Sequence, residues 1–293
     1  MATLRELKGR IGSVASSEKI TGAMKMISSA KMHKAEQSLR RLQPFRNQIE
    51  NIIGNLLSAD AEFSSPLLEA RDVRHVSIVV LGSDDGLCGA YNVNIFKILL
   101  GQLASYRERF GEDVKIDIYP VGAKMCKAVA KIAGGNISVR TIEGVDSKTT
   151  GDGVKIFIES LQNEFFGGVT DKVDVLYMSF KSVSRQRPVV EQLIPVVQDT
   201  FAENGVTQQC RPYIFEPDAN TIFRSVLPMF LMAVMQDIFT ENRASEQAAR
   251  VMAMQSANDN AKKLLEQLQL EYNKLRQQSI TTELLDILGG QIR

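Results

Sequence analysis

From Met229 to Leu288 the chain runs for 60 residues without one glycine or proline. A continuous helix of that length spans roughly 90 Å at ~1.5 Å per residue. Helices in globular proteins average about 11–12 residues. A helix this long cannot bury its apolar seam inside a compact domain. It needs a partner helix, an enclosing assembly, or both.

The seam itself is written in the run. Val251, Met254, Asn258, Ala261, Leu265, Leu268, Tyr272 and Leu275 recur at alternating spacings of three and four. That pattern keeps one stripe against a neighbour in a left-handed coiled coil, and a polar seam residue such as Asn258 trades stability for register. A second seam lies at the other end. Leu4, Leu7, Ile11 and Val14 begin it, and Met32, Ala35, Leu39, Leu42, Ile49, Ile53 and Leu56 resume it. Between them the register falls on Glu18, Thr21, Lys25 and Ser28, while the apolar stripe jumps one position to Ile20, Met24 and Ile27. Pro44 is expected to kink or interrupt this helix, because it removes a donor and clashes with the preceding turn. Gly9, Gly12 and Gly22 weaken it by about 1 kcal/mol each relative to alanine. Two long seams at opposite ends are most simply satisfied by pairing the terminal helices antiparallel around a separate globular body.

The middle supplies such a body. HVSIVVLG reads as a buried strand, SDDGLCGAYN as a tight loop and NIFKILLGQLASYRERF as a helix. VKIDIYPVG (strand), AKMCKAVAKIA (helix), ISVRTIEG (strand), GVKIFIESLQNEFF (helix) and DVLYMSFKSV (strand) follow, with VVEQLIPV and PYIFEP as further strand material. Alternating strands and helices predict a mostly parallel sheet covered by helices. The expected fold is α/β: a long antiparallel coiled coil of N- and C-terminal helices plus a central Rossmann-like α/β domain. The expected divisions are a shaft helix over 1–57, a linker over 58–74, the α/β domain over 75–217 and a second shaft helix over 218–293.

Composition excludes several functions. The 293 residues are 44% hydrophobic and 24% charged, ordinary for a soluble protein. No apolar run approaches the ~20 residues of a membrane span; Arg224, Pro228, Gln236 and Asp237 break the richest stretch, Phe223 to Phe239. The start of the chain lacks the apolar core of a signal peptide. Cys88, Cys126 and Cys210 are odd in number and far apart, and His33 and His75 are the only histidines. No zinc, disulfide or Ser/His/Asp arrangement is indicated, so neither a metal nor a cofactor is expected. The loop Gly82–Gly89 matches neither GxGxxG nor GxxxxGK[ST], and Asp84 and Asp85 would repel a phosphate; a structural turn is expected there.

Charge is unevenly spread. Residues 1–46 hold ten basic and three acidic side chains, a net +7 within a chain total of +1. A basic helix suits an acidic partner, either a protein surface or nucleic acid. The basic segment has no tyrosine or tryptophan and only Phe45, which disfavours base stacking.

Three stretches carry a resemblance that covers the chain end to end: KITGAMKMISSAKMHKA (Lys19–Ala35), SDDGLCGAYN (Ser83–Asn92), and ENRASEQAARVMAMQSANDNA (Glu241–Ala261) continued by LQLEYNKLRQQSITTELLDILGG (Leu268–Gly290). They resemble the gamma subunit of the rotary F-type ATP synthase. The sequence departs from that pattern at Asp85, Ala90, Tyr91 and Gln291. The resemblance implies a non-catalytic central stalk that turns inside a ring of alpha and beta subunits, with its body on epsilon and the ring of c subunits. It couples proton or sodium flow to ATP synthesis or hydrolysis, with the chemistry in beta. It implies a peripheral place on the cytoplasmic face of a bacterial inner membrane. Matched motifs make Met24 the residue facing an acidic lever of beta, with Lys19 and Lys25 as helpers. Arg250, Gln277, Thr281 and Glu283 match positions that couple the helices to the catalytic head. The alternative is a basic coiled-coil nucleic-acid-binding protein.

Overall fold

The computed structural model describes residues 3–57, 64–197 and 215–290. In chain order the elements are α1 (Leu4–Leu57), β1 (His75–Leu81), α2 (Tyr91–Phe110), β2 (Lys115–Val121), α3 (Ala123–Val129), β3 (Ile137–Val139), α4 (Asp152–Phe166), β4 (Lys172–Ser182), β5 (Arg185–Ile194) and α5 (Ala219–Gly290). A 3-10 turn, Pro66–Leu68, precedes the sheet.

The two terminal helices form the shaft. α1 has 54 residues and α5 has 72. Asn258 bonds Glu18, and Asp237 meets Arg46, so the two run antiparallel. In that register the start of α1 falls near Leu275, and α5 continues beyond it alone. Local chemistry starts both helices. Thr3 and Glu6 form a reciprocal capping box at α1, Thr3 N donating to Glu6 Oε2 at 2.8 Å and Glu6 N to Thr3 Oγ1 at 3.3 Å. Asp218 caps α5 by accepting from Thr221 N at 2.8 Å.

The seam of α5 is as its spacing predicts: Val251, Met254, Asn258 and Leu268 are buried. Along α1, Leu7, Met32, Ala35, Ile49, Ile53 and Leu56 are buried. Between Val14 and Met32 the helix does not rotate to follow its displaced apolar stripe. Ile20 and Ile27 are 59% and 55% exposed, while Ser28 is buried. Asn258 holds the original register there through Glu18 and Thr21.

Pro44 does not interrupt α1, which is continuously helical across it, and α5 likewise contains Pro228. Pro44 lies on the exposed face. The turns around it are fastened by Arg46, which reaches Glu50 at 2.8 Å and Asp237 at 3.6 Å, and by buried Ile49.

The body is a five-stranded sheet of order β3-β2-β1-β4-β5. The first four strands are parallel, and β5 returns antiparallel to β4. Alternate residues face opposite layers. Val76, Ile78 and Val80 pack with α2 and α3; Val79, Leu81, Val173 and Val175 pack with α4. The α4 side also receives Ile49, Ile53 and Leu56 from α1, and Phe223, Leu227 and Leu231 from α5. The base of the shaft therefore shares one core with the body. One stretch of α5 is long and apolar enough to cross a membrane by composition. Just over half of that stretch is buried, and Phe230, Leu231, Val234, Met235 and Ile238 of α5 line this core.

Two elements are shorter than their sequences predict. β3 stops at Val139 rather than running to Gly144, and α3 stops at Val129. β3 is an edge strand, and the next side chain, Arg140, turns to Asp117 at 2.9 Å and Glu164 at 3.7 Å. PYIFEP lies partly outside the described residues, and Phe215–Pro217 form no strand. Cys210 and Gln291 also lie outside them.

Candidate functional site

The chain's unusual chemistry is gathered where α5 crosses the ends of β1 and β4. Over Glu241–Arg250 the helix buries polar side chains: Asn242, Ser245, Glu246, Gln247 and Arg250 are each at most 8% exposed. Ala244 and Ala248, fully buried, let the helix approach closely. Polar groups here must find partners, because an unmet buried donor costs about 1–3 kcal/mol.

Asn242 finds them in the sheet. β1 and β4 pair as far as Val80 and Leu176, and the next rung of the same orientation would join Gly82 to Met178. Asn242 occupies that rung. Its Oδ1 accepts from Met178 N at 3.1 Å, and its Nδ2 lies 3.4 Å from Gly82 O. Tyr91 OH donates to the same Oδ1 at 2.7 Å, filling its second lone pair. Glu241 continues the substitution. Its Oε1 accepts from Phe180 N at 2.8 Å and from Ser179 Oγ at 2.7 Å. Two side chains of α5 thus replace a strand along β4. Pro188 sits opposite Met178 on the free edge strand, where a missing donor is tolerated.

Arg250 reads the loop after β1. Nε donates to Gly86 O at 3.1 Å and Nη2 to Asp85 O at 3.2 Å. Nη2 also donates to Glu246 at 2.7 Å, a buried ion pair. Burial raises the Glu246 carboxyl pKa, and Arg250 pulls against that. The loop itself is tight: Leu87 and Gly89 have φ of 64° and 60°. Asn92 accepts from Ser83 N at 3.1 Å, and Asp84 ties the loop to Ala123 N and Ser147 Oγ. The loop thus turns carbonyl oxygens toward an arginine. It is the structural turn that the sequence predicts, not a phosphate cradle. Arg243 adds bonds at 3.3 Å to the carbonyls of Ser147 and Thr149. Burial lowers its pKa.

The sequence-predicted residues fall in three places. Arg250 is in this girdle, 5% exposed. Met24 and Lys25 are half-buried and Lys19 is exposed. Lys19 and Met24 flank exposed Ile20 and Ile27, whereas Lys25 follows Thr21 along the side of α1 that Asn258 contacts. Gln277, Thr281 and Glu283 are exposed on the part of α5 beyond α1. There Thr281 Oγ1 donates only locally, to Gln277 O at 2.9 Å. The three groups are not brought together; they are strung along the shaft. Asn242, Glu241 and Tyr91 are missed by sequence reasoning. Their signal is a polar block interrupting the apolar faces of α5.

A long two-helix lever sharing its core with one α/β body, with its polar chemistry directed inward, defines a shaft-and-body stalk protein. The family model described as ATP synthase matches residues 3–291. The ATP synthase gamma chain of Bacteroides fragilis is 40% identical over 299 residues, with both chains covered in full. That of Cupriavidus pinatubonensis is 34% identical, with 99% of each chain covered. Among solved structures, a chain of the Euglena gracilis mitochondrial ATP synthase, described as OSCP/F1/c-ring, superposes with a TM-score of 0.65 at 19% identity, covering 98% of this chain and 93% of its own. One from Tetrahymena thermophila, described as central stalk/c-ring, gives 0.56 at 20% identity, covering 81% and 99%. The chain belongs to the ATP synthase gamma-chain family. The nucleic-acid alternative gains no support from these relatives.

Proposed function

We propose that this chain is the central rotor shaft of an F-type ATP synthase, carrying rotation between a membrane ring of c subunits and a head of alpha and beta subunits. The observation that carries this is the asymmetry of the shaft. One helix runs on alone past its partner, while the other end shares a core with the body. A symmetric rod would present the same face to every surrounding site. An asymmetric one stabilises a different conformation at each site as it turns, and shifts nucleotide affinity accordingly. The solved relatives' descriptions as rotor and central stalk with c-ring support the same reading.

The finer assignments follow. ATP chemistry resides in beta, and this chain contributes none of it. The α/β body rests on epsilon and the c-ring, so the chain is held peripherally at the cytoplasmic face of the bacterial inner membrane. The basic segment of α1, with Met24, Lys19 and Lys25, meets an acidic lever of beta. Exposed pairs of that kind are worth less than ~1 kcal/mol each, which suits guidance of rotation better than tight binding. Gln277, Thr281 and Glu283 reach the interior of the head. Arg250 supports them from a distance by bracing the shaft on the body.

The test is co-expression with alpha and beta subunits from the same source, followed by the mass and ATP turnover of the purified complex. An active assembly with one copy of this chain per three alpha and three beta is expected. Folded alpha and beta that leave this chain unbound would overturn the assignment.

A further inference from the structure

We propose that Asn242 and Glu241 are positioning residues that fix the angular setting of the body on the shaft, so that torque passes between them without slip. This rests on the rotor reading above and names the contact through which that rotor is driven.

The physical distinction is between directional and non-directional contact. The apolar core at the base of the shaft holds the helices to the sheet, but burial of apolar area is insensitive to small rotations. Hydrogen bonds are not: they weaken steeply as the donor angle departs from linear. Asn242 and Glu241 make their bonds to three separate parts of the body. Gly82 follows β1, Met178, Ser179 and Phe180 belong to β4, and Tyr91 opens α2. No single rotation of α5 about its axis preserves contact with all three. Asn242 is 2% exposed, so water cannot take over its bonds during a partial turn. Slippage would also strip the Met178 and Phe180 donors of the partners that stand in for a strand. The resistance to rotation therefore lies in the directional bonds, this buried rung together with the Arg243 and Arg250 bonds to the loops, while the apolar core supplies adhesion.

The experiment uses the complete synthase in sealed vesicles. ATP hydrolysis and ATP-driven proton uptake are measured in the same preparation, alongside the thermal midpoint of the complex. The double variant Asn242→Ala/Glu241→Ala is expected to lower protons pumped per ATP by about threefold or more, the loss growing as the opposing gradient builds. Glu241→Gln keeps one oxygen for both bonds and is expected to retain the coupling that Glu241→Ala loses. Should the double variant fail to assemble, Tyr91→Phe/Ser179→Ala removes two of the bonds from the body side alone. It should give a smaller loss in the same direction. Pumping and hydrolysis falling in step with the thermal midpoint would show the two residues to be only structural, and would overturn the proposal. Wild-type vesicles that hydrolyse ATP with this chain present but never pump would overturn the rotor reading itself.

Discussion

Asn258 on α5 donates from Nδ2 to the Glu18 carbonyl on α1 at 2.7 Å, across the one stretch of the shaft whose seam is polar. Gly22 makes room for it: a Cβ there would lie 3.3 Å from the same Nδ2. The pair explains why α1 leaves Ile20 and Ile27 outside. Turning the helix to bury them would break the pin.

Gly22→Leu should therefore destabilise the chain by about 1–3 kcal/mol, through overpacking against Asn258. In an Asn258→Ala background the same change should be neutral or stabilising, because leucine then enjoys its helix propensity unopposed. A double-mutant cycle on urea midpoints measures the coupling. Equal costs in both backgrounds would refute the pairing.

Arg250→Ala leaves Glu246 buried beside Asp84 and Asp85 with its cation gone. A loss of about 3–5 kcal/mol is expected. Arg250→Met with Glu246→Leu should recover most of it, since no charge is then stranded. Denaturant unfolding of the three chains decides the matter.

Gly82→Ala places a Cβ 2.5 Å from the Met125 Cβ, which is no flexible tip and cannot move aside. The expected cost is about 3 kcal/mol. Gly54→Ala, inside α1 and with nothing within 4 Å, should instead gain about 0.5–1 kcal/mol. Calorimetric midpoints moving in opposite directions would bear this out.

Asp237 sits between Arg46, Glu50 and Glu241, and burial pushes its carboxyl pKa from 3.8 up to about 6 despite the Arg46 guanidinium. A raised folded-state value means that the native state holds this proton more firmly than the unfolded chain. Its stabilising contribution is complete below pH 3.8 and is lost as pH rises through about 6. Asp237→Asn should raise the thermal midpoint at neutral pH, with the advantage vanishing below pH 3.8. A constant difference across that range would count against it.

Met24→Lys puts a further cation about one and a half turns from Lys19 and next to Lys25 in a segment that is already basic. On the proposed contact with an acidic lever it should lower protons pumped per ATP about fivefold, corresponding to ~1 kcal/mol of added grip. The complex should still assemble. A normal ratio would remove Met24 from the coupling contact.

The long shaft was legible because a spacing of three and four is a local signal, and Val251 through Leu275 need only each other to be read. The strand–helix alternation of the body was legible for the same reason. The polar stretch of α1 was not, because Ile20, Met24 and Ile27 offer a better local seam than the one used. What overrides them is Asn258, more than two hundred residues away. The girdle was hidden for a related cause. Nothing local to Glu241 and Asn242 shows that Met178 and Phe180 lack a strand on the β1 side. Pro44 does not break the helix because its penalty is local, whereas the turns beside it are anchored across the shaft, Arg46 to Asp237 on α5 and Ile49 in the shared core.

The borrowed rung on β4 also bears on how the molecule is made. A ribosome releases β1, α2 and β4 before α5 exists, so the donors of Met178 and Phe180 emerge with no acceptor yet synthesised. Until the final helix arrives, the nascent sheet carries an unfinished edge of the kind that pairs with strangers. The last-made segment is thus also the one that seals the first-made sheet.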